Sequence, residues 1–376
     1  MNAAWFPESP AASVIAPPVR PVLDVEDMPD LARGAAVLGT GGGGDPYLGR
    51  LLAEQALREH GPVPLVRPED LPDDACVLPV AQMGAPTVSV EKLPAYAEIG
   101  RAVTTLAEHL GRTPTHVACI EAGGINSTLP VAGAALLGLP LVDGDGMGRA
   151  FPELQMVLPG IAGVPATPMS ITDEQGNTGV LTCPTAKWAE DLARSMTITM
   201  GCTAIIANYP MTGAQARETL IGGTLGLCVR IGRAIAAARA GLDDPVAAVA
   251  TETGGTVLHT GKVVDVARRT TTGFARGEAR ITGDGGDCLL RFQNEHLLAE
   301  VDGRIVTTTP DLIMVLDTAT GEPVTTEALR FGHRVSVLGA PADPRWHTPA
   351  ALAVVGPRYF GYDTDPVRVG APGGTA

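Results

Sequence analysis

The sequence predicts an α/β protein with two parts: an N-terminal α/β domain on a mostly parallel sheet, and a C-terminal domain containing an antiparallel β-rich unit. Three observations predict this. From Glu26 to about Pro165, apolar strand-like runs alternate with amphipathic helical ones, the pattern of β-α-β units. From about Glu252 to Leu338 the pattern changes to short alternating runs broken by Gly/Asp turns such as Gly283–Asp287 and Asp302-Gly303. The chain has 376 residues, more than an ordinary compact domain, and 45% of them are apolar, enough for a sizeable core.

In chain order, Met1 to about residue 22 is rich in Pro and Ala and reads as an arm. Glu26–Leu38 reads as a helix with Pro29 in its first turn, where the missing N–H costs nothing. After a glycine run, Asp45 and Pro46 suit the N-cap and first position of a helix reaching about His60. Ala75–Gln82 reads as a buried strand, about Leu93–Leu110 as a helix, His116–Glu121 as a second strand, about Ser127–Leu137 as a helix capped by Asn126 or Ser127, and Pro140–Val142 as a third strand. Thr185–Met200 is an amphipathic helix, Cys202–Ala207 a strand, and Gly213 to about Ala240 mostly helical with a break at Gly222-Gly223. The β-rich part, about 252–340, holds runs at Gly261–Arg268, Glu278–Thr282, Cys288–Gln293, Glu300–Thr307, Leu312–Leu316 and Arg334–Leu338. This divides the chain into an arm (1–22), an N-terminal domain (23–168) and a C-terminal domain (169–370).

Composition excludes several classes. With 27 basic and 41 acidic residues the formal charge is −14, which repels phosphate backbones and anionic lipid, so neither nucleic acid nor membrane is an expected partner. No run of about 18 apolar residues exists, and Met1–Arg20 lacks a basic start followed by an apolar stretch, so the expected location is cytoplasmic. The six scattered cysteines read as reduced thiols, Cys202 being the best candidate for a nucleophile. The seven histidines have no HxH or HxxxH spacing, and no G-x-S-x-G elbow occurs.

Three glycine-rich loops carry the candidate chemistry. In the first, Gly39–Pro46, residues Gly39, Gly41 and Gly44 fit GxGxxG by spacing. A dinucleotide site would need a preceding strand, whereas a helix precedes this loop, and Asp45 would face the pyrophosphate. Thr40, Gly41, Gly42 and Gly43 either form a helix–helix turn or offer free N–H groups to an anionic or carbonyl oxygen. The second loop, Glu121–Ser127, follows a strand and opens a helix, which puts Glu121, Gly123, Gly124 and Asn126 at the ligand-binding edge of an open sheet. The third, Asp143–Glu153, has carboxylates at Asp143 and Asp145 flanked by glycines; they suit a shared cation or an acid–base pair. Arg149 suits a two-pronged grip on a substrate carboxylate.

These loops resemble a known family. Leu31–Gly49, Glu121–Pro130 and Leu141–Met156, together with Gly261–Gly277, Thr309–Pro323 and Leu329–Asp363, are similar to the S-methyl-thiohydantoin desulfurase-like family, related to hydantoin-utilisation systems. The resemblance covers nearly everything from Asp24 to Asp363. It implies a hydrolase in which water attacks a ring carbon of a hydantoin-like cyclic amide, with loss of a sulfur or nitrogen leaving group. The candidate catalytic carboxyls are then Asp143, Asp145, Glu121 and Asp45. Backbone N–H groups of Gly41–Gly44 or Gly123–Gly124 would hold the oxyanion and Arg149 a carboxylate tail. Asp143 and Asp145 are also the candidate ligands of a divalent metal (Zn²⁺, Mn²⁺ or Mg²⁺). The expected partners are a small-molecule substrate, a second copy of the chain and hydantoin-processing enzymes. The competing readings are a non-catalytic partner subunit of such a system and a nucleotide-binding subunit.

Overall fold

Short apolar runs punctuated by Gly and Pro form the strands of the first sheet. In the computed structural model, which describes residues 21–44, 46–84, 96–271 and 274–370, the chain begins with β1 (Val22–Leu23), α1 (Met28–Leu38), α2 (Pro46–His60), β2 (Val63–Val66) and β3 (Cys76–Gly84). It continues through α3 (Tyr96–Leu110), β4 (His116–Cys119), α4 (Ile125–Leu137), β5 (Leu141–Val142) and β6 (Gly144–Asp145). Strands β2, β5, β4 and β3 lie side by side in parallel register, so the loops after β4 and β5 emerge from the same edge. That edge is where an open α/β sheet binds ligands.

The sheet continues beyond residue 168. After α5 (Leu158–Ile161) come β7 (Met169–Thr172), β8 (Thr178–Leu181), α6 (Ala186–Thr199), β9 (Thr203–Ala207) and β10 (Met211–Thr212). Strands β9, β7 and β8 extend the sheet antiparallel beyond β3, and β10 also pairs with β3. Then follow α7 (Gly213–Thr219), β11 (Ile221–Gly222), α8 (Thr224–Gly241) and α9 (Pro245–Thr253). The glycine break inside the long helical stretch is a real one: β11 leaves the helix to pair with β6. Helices α1 and α8 cross in near backbone contact, because a Cβ at Gly34 would meet the Cys228 carbonyl oxygen at 1.8 Å.

The C-terminal part is an antiparallel half-barrel of seven strands: β12 (Thr256–Thr271), β13 (Phe274–Gly283), β14 (Gly286–Gln293), β15 (Glu295–Val301), β16 (Arg304–Thr308), β17 (Leu312–Asp317) and β18 (Arg334–Ala340). Their order is β16-β15-β14-β13-β12-β18-β17. It has its own apolar core around Ile281, Leu290, Phe292, Ile313 and Val337. A short α10 (Pro349–Val355) follows. No helix among the described residues is long and apolar enough to cross a membrane.

One boundary moves in a way that shapes the site. Helix α4 begins at Ile125, so Asn126 and Ser127 lie in its first turn instead of capping it. Its N-cap is Gly124, at φ 48°, and a Cβ there would meet the Gly43 carbonyl oxygen at 2.1 Å. The second glycine loop is thus pressed beneath the first, which only glycine permits.

Candidate active site

The first loop joins the two sheets. After α1 the chain turns through Thr40 (φ 50°), Gly41 (φ 97°) and Gly43 (φ 85°), conformations that favour glycine. The Thr40 and Gly41 carbonyls accept from His296 N (2.8 Å) and Thr326 N (2.9 Å) of the half-barrel, and the Gly43 carbonyl accepts from Ile125 N (2.9 Å) of α4. This brings the end of β4 against the start of β15, and between them opens a pocket of about 120 Å³ lined by Gly43, Gly44, Glu121, Asn126, Asn208 and Glu295.

Four buried carboxyl groups line this pocket, and two of them, Glu121 and Glu295, have no ion pair among the described residues, whereas Glu153 and Glu190 are paired with Lys187 and Arg194. Glu121 Oε1 accepts from Asn126 Nδ2 at 2.7 Å. Asn126 is fixed in turn on the β3 backbone, its Oδ1 taking Gln82 N at 2.7 Å. Burial is the main reason the Glu121 carboxyl is raised from 4.5 to about 8; the Asn126 amide and the Phe151 N–H oppose the shift, and the charge of Asp145 adds to it. Glu295, 3% exposed, is pushed well above its ordinary range by burial first and by Glu121 second, with Arg149 pulling the other way. Its Oε2 meets no hydrogen-bond partner among the described residues, and a Cβ at Gly42 would meet Oε1 at 2.1 Å. Asn208 completes the arrangement: it is 1% exposed, and neither its Oδ1 nor its Nδ2 has a protein partner among the described residues. A buried amide with all its hydrogen bonds unmade is costly and marks a place where a polar ligand fits.

The rim is polar as well. Glu190 accepts from Arg194 Nε at 2.5 Å, and the Arg194 guanidinium lies 4.6 Å from the Phe274 ring centroid at the start of β13. Glu153 Oε2 takes Gln155 Nε2, Lys187 Nζ and the Tyr359 hydroxyl. Behind the pocket, His296 is fully buried and its imidazole is depressed to about 4, chiefly by burial, so it is neutral.

The third loop does something other than its spacing implies. Asp143 Oδ1 accepts from Gly226 N at 3.0 Å and so caps the N-terminus of α8. Asp145 is fully buried, and its Oδ2 accepts from Ala122 N (2.8 Å), Met147 N (2.8 Å) and Gly148 N (2.7 Å), fastening the second loop to the third. Burial raises it from 3.8 to about 6 against those three donors. Neither aspartate lines the pocket. Arg149 is also fully buried. Its Nε donates to the Ala150 carbonyl, Nη1 to the carbonyls of Pro310 and Asp311, and Nη2 to Thr40 Oγ1 and the His296 carbonyl. Every N–H is committed, so instead of gripping a substrate carboxylate Arg149 rivets the first loop to the half-barrel.

The remaining candidates divide. Asn126, Glu121 and Gly43 reach the pocket, whereas Thr40, Gly41, Gly42, Gly123 and Gly124 do not line it, Gly41 and Gly42 facing another cavity with Thr325 and Thr326. Gly42 N donates to Gly39, Gly123 N to Ser127 Oγ and Gly124 N to Ala35, so neither glycine of the second loop has its N–H free for an oxyanion. Asp45 lies outside the described residues. All six cysteines are free, and Cys202 does not line the pocket. Among the described residues no three His, Cys, Asp or Glu side chains converge on one metal-sized position, and backbone N–H groups already occupy Asp143 Oδ1 and Asp145 Oδ2. Glu295 and Asn208 escaped the sequence reading. The only signal was the run Gln293-Asn294-Glu295-His296, four polar residues between apolar strands.

The chain matches the N-terminal domain of the S-Me-THD-like family over residues 26–183 and its C-terminal domain over 184–369. It belongs to that family. Among solved structures it is similar to a structural-genomics protein from Chromobacterium violaceum, with 23% identity, a TM-score of 0.77, and coverage of 93% of this chain and 99% of that one; this likeness speaks to the fold. No curated protein matches significantly.

Proposed function

Taking membership of the S-Me-THD-like family as the premise, we propose that this chain is a hydrolase of small hydantoin- or thiohydantoin-like rings, and that Glu121 and Glu295 carry its acid–base chemistry. The observation that supports this most directly is that, of the four buried carboxyl groups lining one pocket, Glu121 and Glu295 have no ion pair among the described residues, and they stand beside a side-chain amide with no partner among those residues. Two carboxyls in one dry site titrate apart, which supplies an acid and a base together.

The roles follow from the surroundings. Glu121 receives donors from Asn126 and Phe151, which favour its ionised form, so it loses its proton first and serves as the base that takes a proton from water. Glu295 keeps its proton longer and delivers it to the departing sulfur or nitrogen. Water oxygen bonds to the ring carbon, the bond from that carbon to the leaving group breaks, and the Asn208 amide takes up charge developing on the ring heteroatoms.

The test is a panel of hydantoins, 2-thiohydantoins and S-methyl-thiohydantoins, assayed for released thiol, sulfide or ring-opened product. The expected outcome is turnover that rises with pH, with its midpoint at about 8, and disappears in Glu121→Gln and Glu295→Gln. Turnover that both variants retain in full would remove the carboxyl pair from the mechanism.

A further inference from the structure

A second pocket, separate from the first, is lined with arginine. It lies on one face of β12, β13 and β14, is closed on its other side by Phe360–Tyr362, and measures about 580 Å³. Arg269, Arg276 and Arg291 share that face with a single acidic residue, Glu278, whereas the Arg268 side chain takes the opposite face and donates to the Leu329 carbonyl. Such a concentration of positive charge stands out on a chain of formal charge −14.

Two features point to a missing anion. Arg269 and Arg276 are Cα partners directly across the antiparallel β12–β13 ladder. Like charges in that position repel. Arg291 has Glu300 and Glu278 as counter-ions, at 3.4 and 4.0 Å. Arg269 and Arg276 have no ion pair with any described residue. Independently, Gln293 lines the same pocket, is 3% exposed, and its Oε1 is buried without a hydrogen-bond partner among the described residues. It sits opposite Arg276 in the register of β13 and β14. An unpaired arginine couple thus stands beside an unsatisfied buried amide.

We propose that this pocket binds a phosphate-bearing small molecule. A carboxylate satisfies one guanidinium fork, whereas a phosphate dianion has the charge and the oxygens to bridge Arg269 and Arg276 together. A hydroxyl on the phosphate or its ester donates to Gln293 Oε1, and Tyr362 offers an aromatic wall to an attached ring or sugar. The site is independent of the hydrolytic reading and uses none of its residues.

The test measures binding by calorimetry and by the shift in Tm, with inorganic phosphate, pyrophosphate, AMP and ATP as probes and acetate as the carboxylate control. The expected result is saturable binding of at least one phosphate compound and none of acetate. Arg269→Gln with Arg276→Gln should weaken it roughly tenfold or more, the loss of two charge-assisted contacts, while the ligand-free Tm is kept or raised as the cross-strand repulsion disappears. Tighter binding of AMP than of inorganic phosphate identifies an ester as the ligand; equal binding identifies the free ion. If no phosphate compound binds, or if the double variant binds as tightly as the parent, the proposal is overturned.

Discussion

Glu121 and Asp145 are both buried carboxyl groups, on loops that leave adjacent parallel strands at the same sheet edge, and burial raises both. Yet Asp145 gives one oxygen to three backbone N–H groups, while Glu121 has Asn126 as its one side-chain donor and opens on the pocket. The contrast teaches that burial and a shifted pKa do not by themselves mark a reacting group. What separates the two carboxyls is access: Asp145 Oδ2 is filled by three backbone N–H groups, its Oδ1 is buried without a partner among the described residues, and the residue stays off the pocket that Glu121 lines. Access likewise separates Arg149, whose donors are all used away from the pocket, from Asn208, which lines it and whose side-chain amide has no partner among the described residues.

The largest effect that could break this comparison is on turnover. Glu121→Gln keeps the shape and the Asn126 contact but cannot accept a proton, so kcat should fall by about 10²–10⁴, the usual worth of a positioned base, with the urea midpoint unchanged or higher. Next comes Asp145→Ala. It strands three buried N–H groups, which at about 1–3 kcal/mol each should cost about 3 kcal/mol or more in urea unfolding. If Asp145→Ala instead leaves stability intact and removes only activity, the two carboxyls have been assigned the wrong way round.

The third effect is a pH slope. A carboxyl whose folded pKa lies above its unfolded one holds a proton longer in the native state, so stability is greatest at low pH and declines as pH rises. For Asp145 the window runs from 3.8 to about 6, and for Glu121 from 4.5 to about 8. Each group contributes at most about 1.4 kcal/mol per pH unit. Urea unfolding of the parent should therefore weaken from about pH 4.5 to 8, and Glu121→Gln should lessen the slope across that whole interval, leaving the share of Asp145 below pH 6 and that of Glu295, also raised, above it. An equal slope in both proteins would mean that Glu121 titrates normally.

Much of this was legible in the sequence. The alternation of helical and strand-like runs announced the parallel block, and the Gly/Asp turns announced the half-barrel, because both patterns are local. Glu121 was legible because a carboxylate at a strand's carboxyl end, next to two glycines, states its own position. Glu295 was not. It reaches the pocket only because Thr40 and Gly41 dock on His296 and Thr326, a pairing between residues some 250 apart in the chain. Asp143 and Asp145 misled for the opposite reason. Spacing of i and i+2 in a Gly-rich loop does place two carboxyls close together, but β6 pairs with β11 and turns them to different tasks. Nothing in the local pattern reveals that β11 exists, since Ile221-Gly222 reads as a flaw in a helix.

That pairing supplies the smallest and sharpest prediction. Asp143 accepts from Gly226 at the start of α8, a helix that packs along α1 and so backs the first loop. Asp143→Ala should cost about 1 kcal/mol, the ordinary worth of an N-cap. Asp143→Asn should recover most of that, because an amide oxygen also accepts from a backbone N–H. A catalytic base behaves differently, since an amide cannot take up the proton, and a metal-binding carboxylate is weakened by losing its charge. Asp143→Asn with full turnover and near-parental stability confirms a cap; Asp143→Asn that is folded but inactive returns the third loop to the chemistry that its spacing implies.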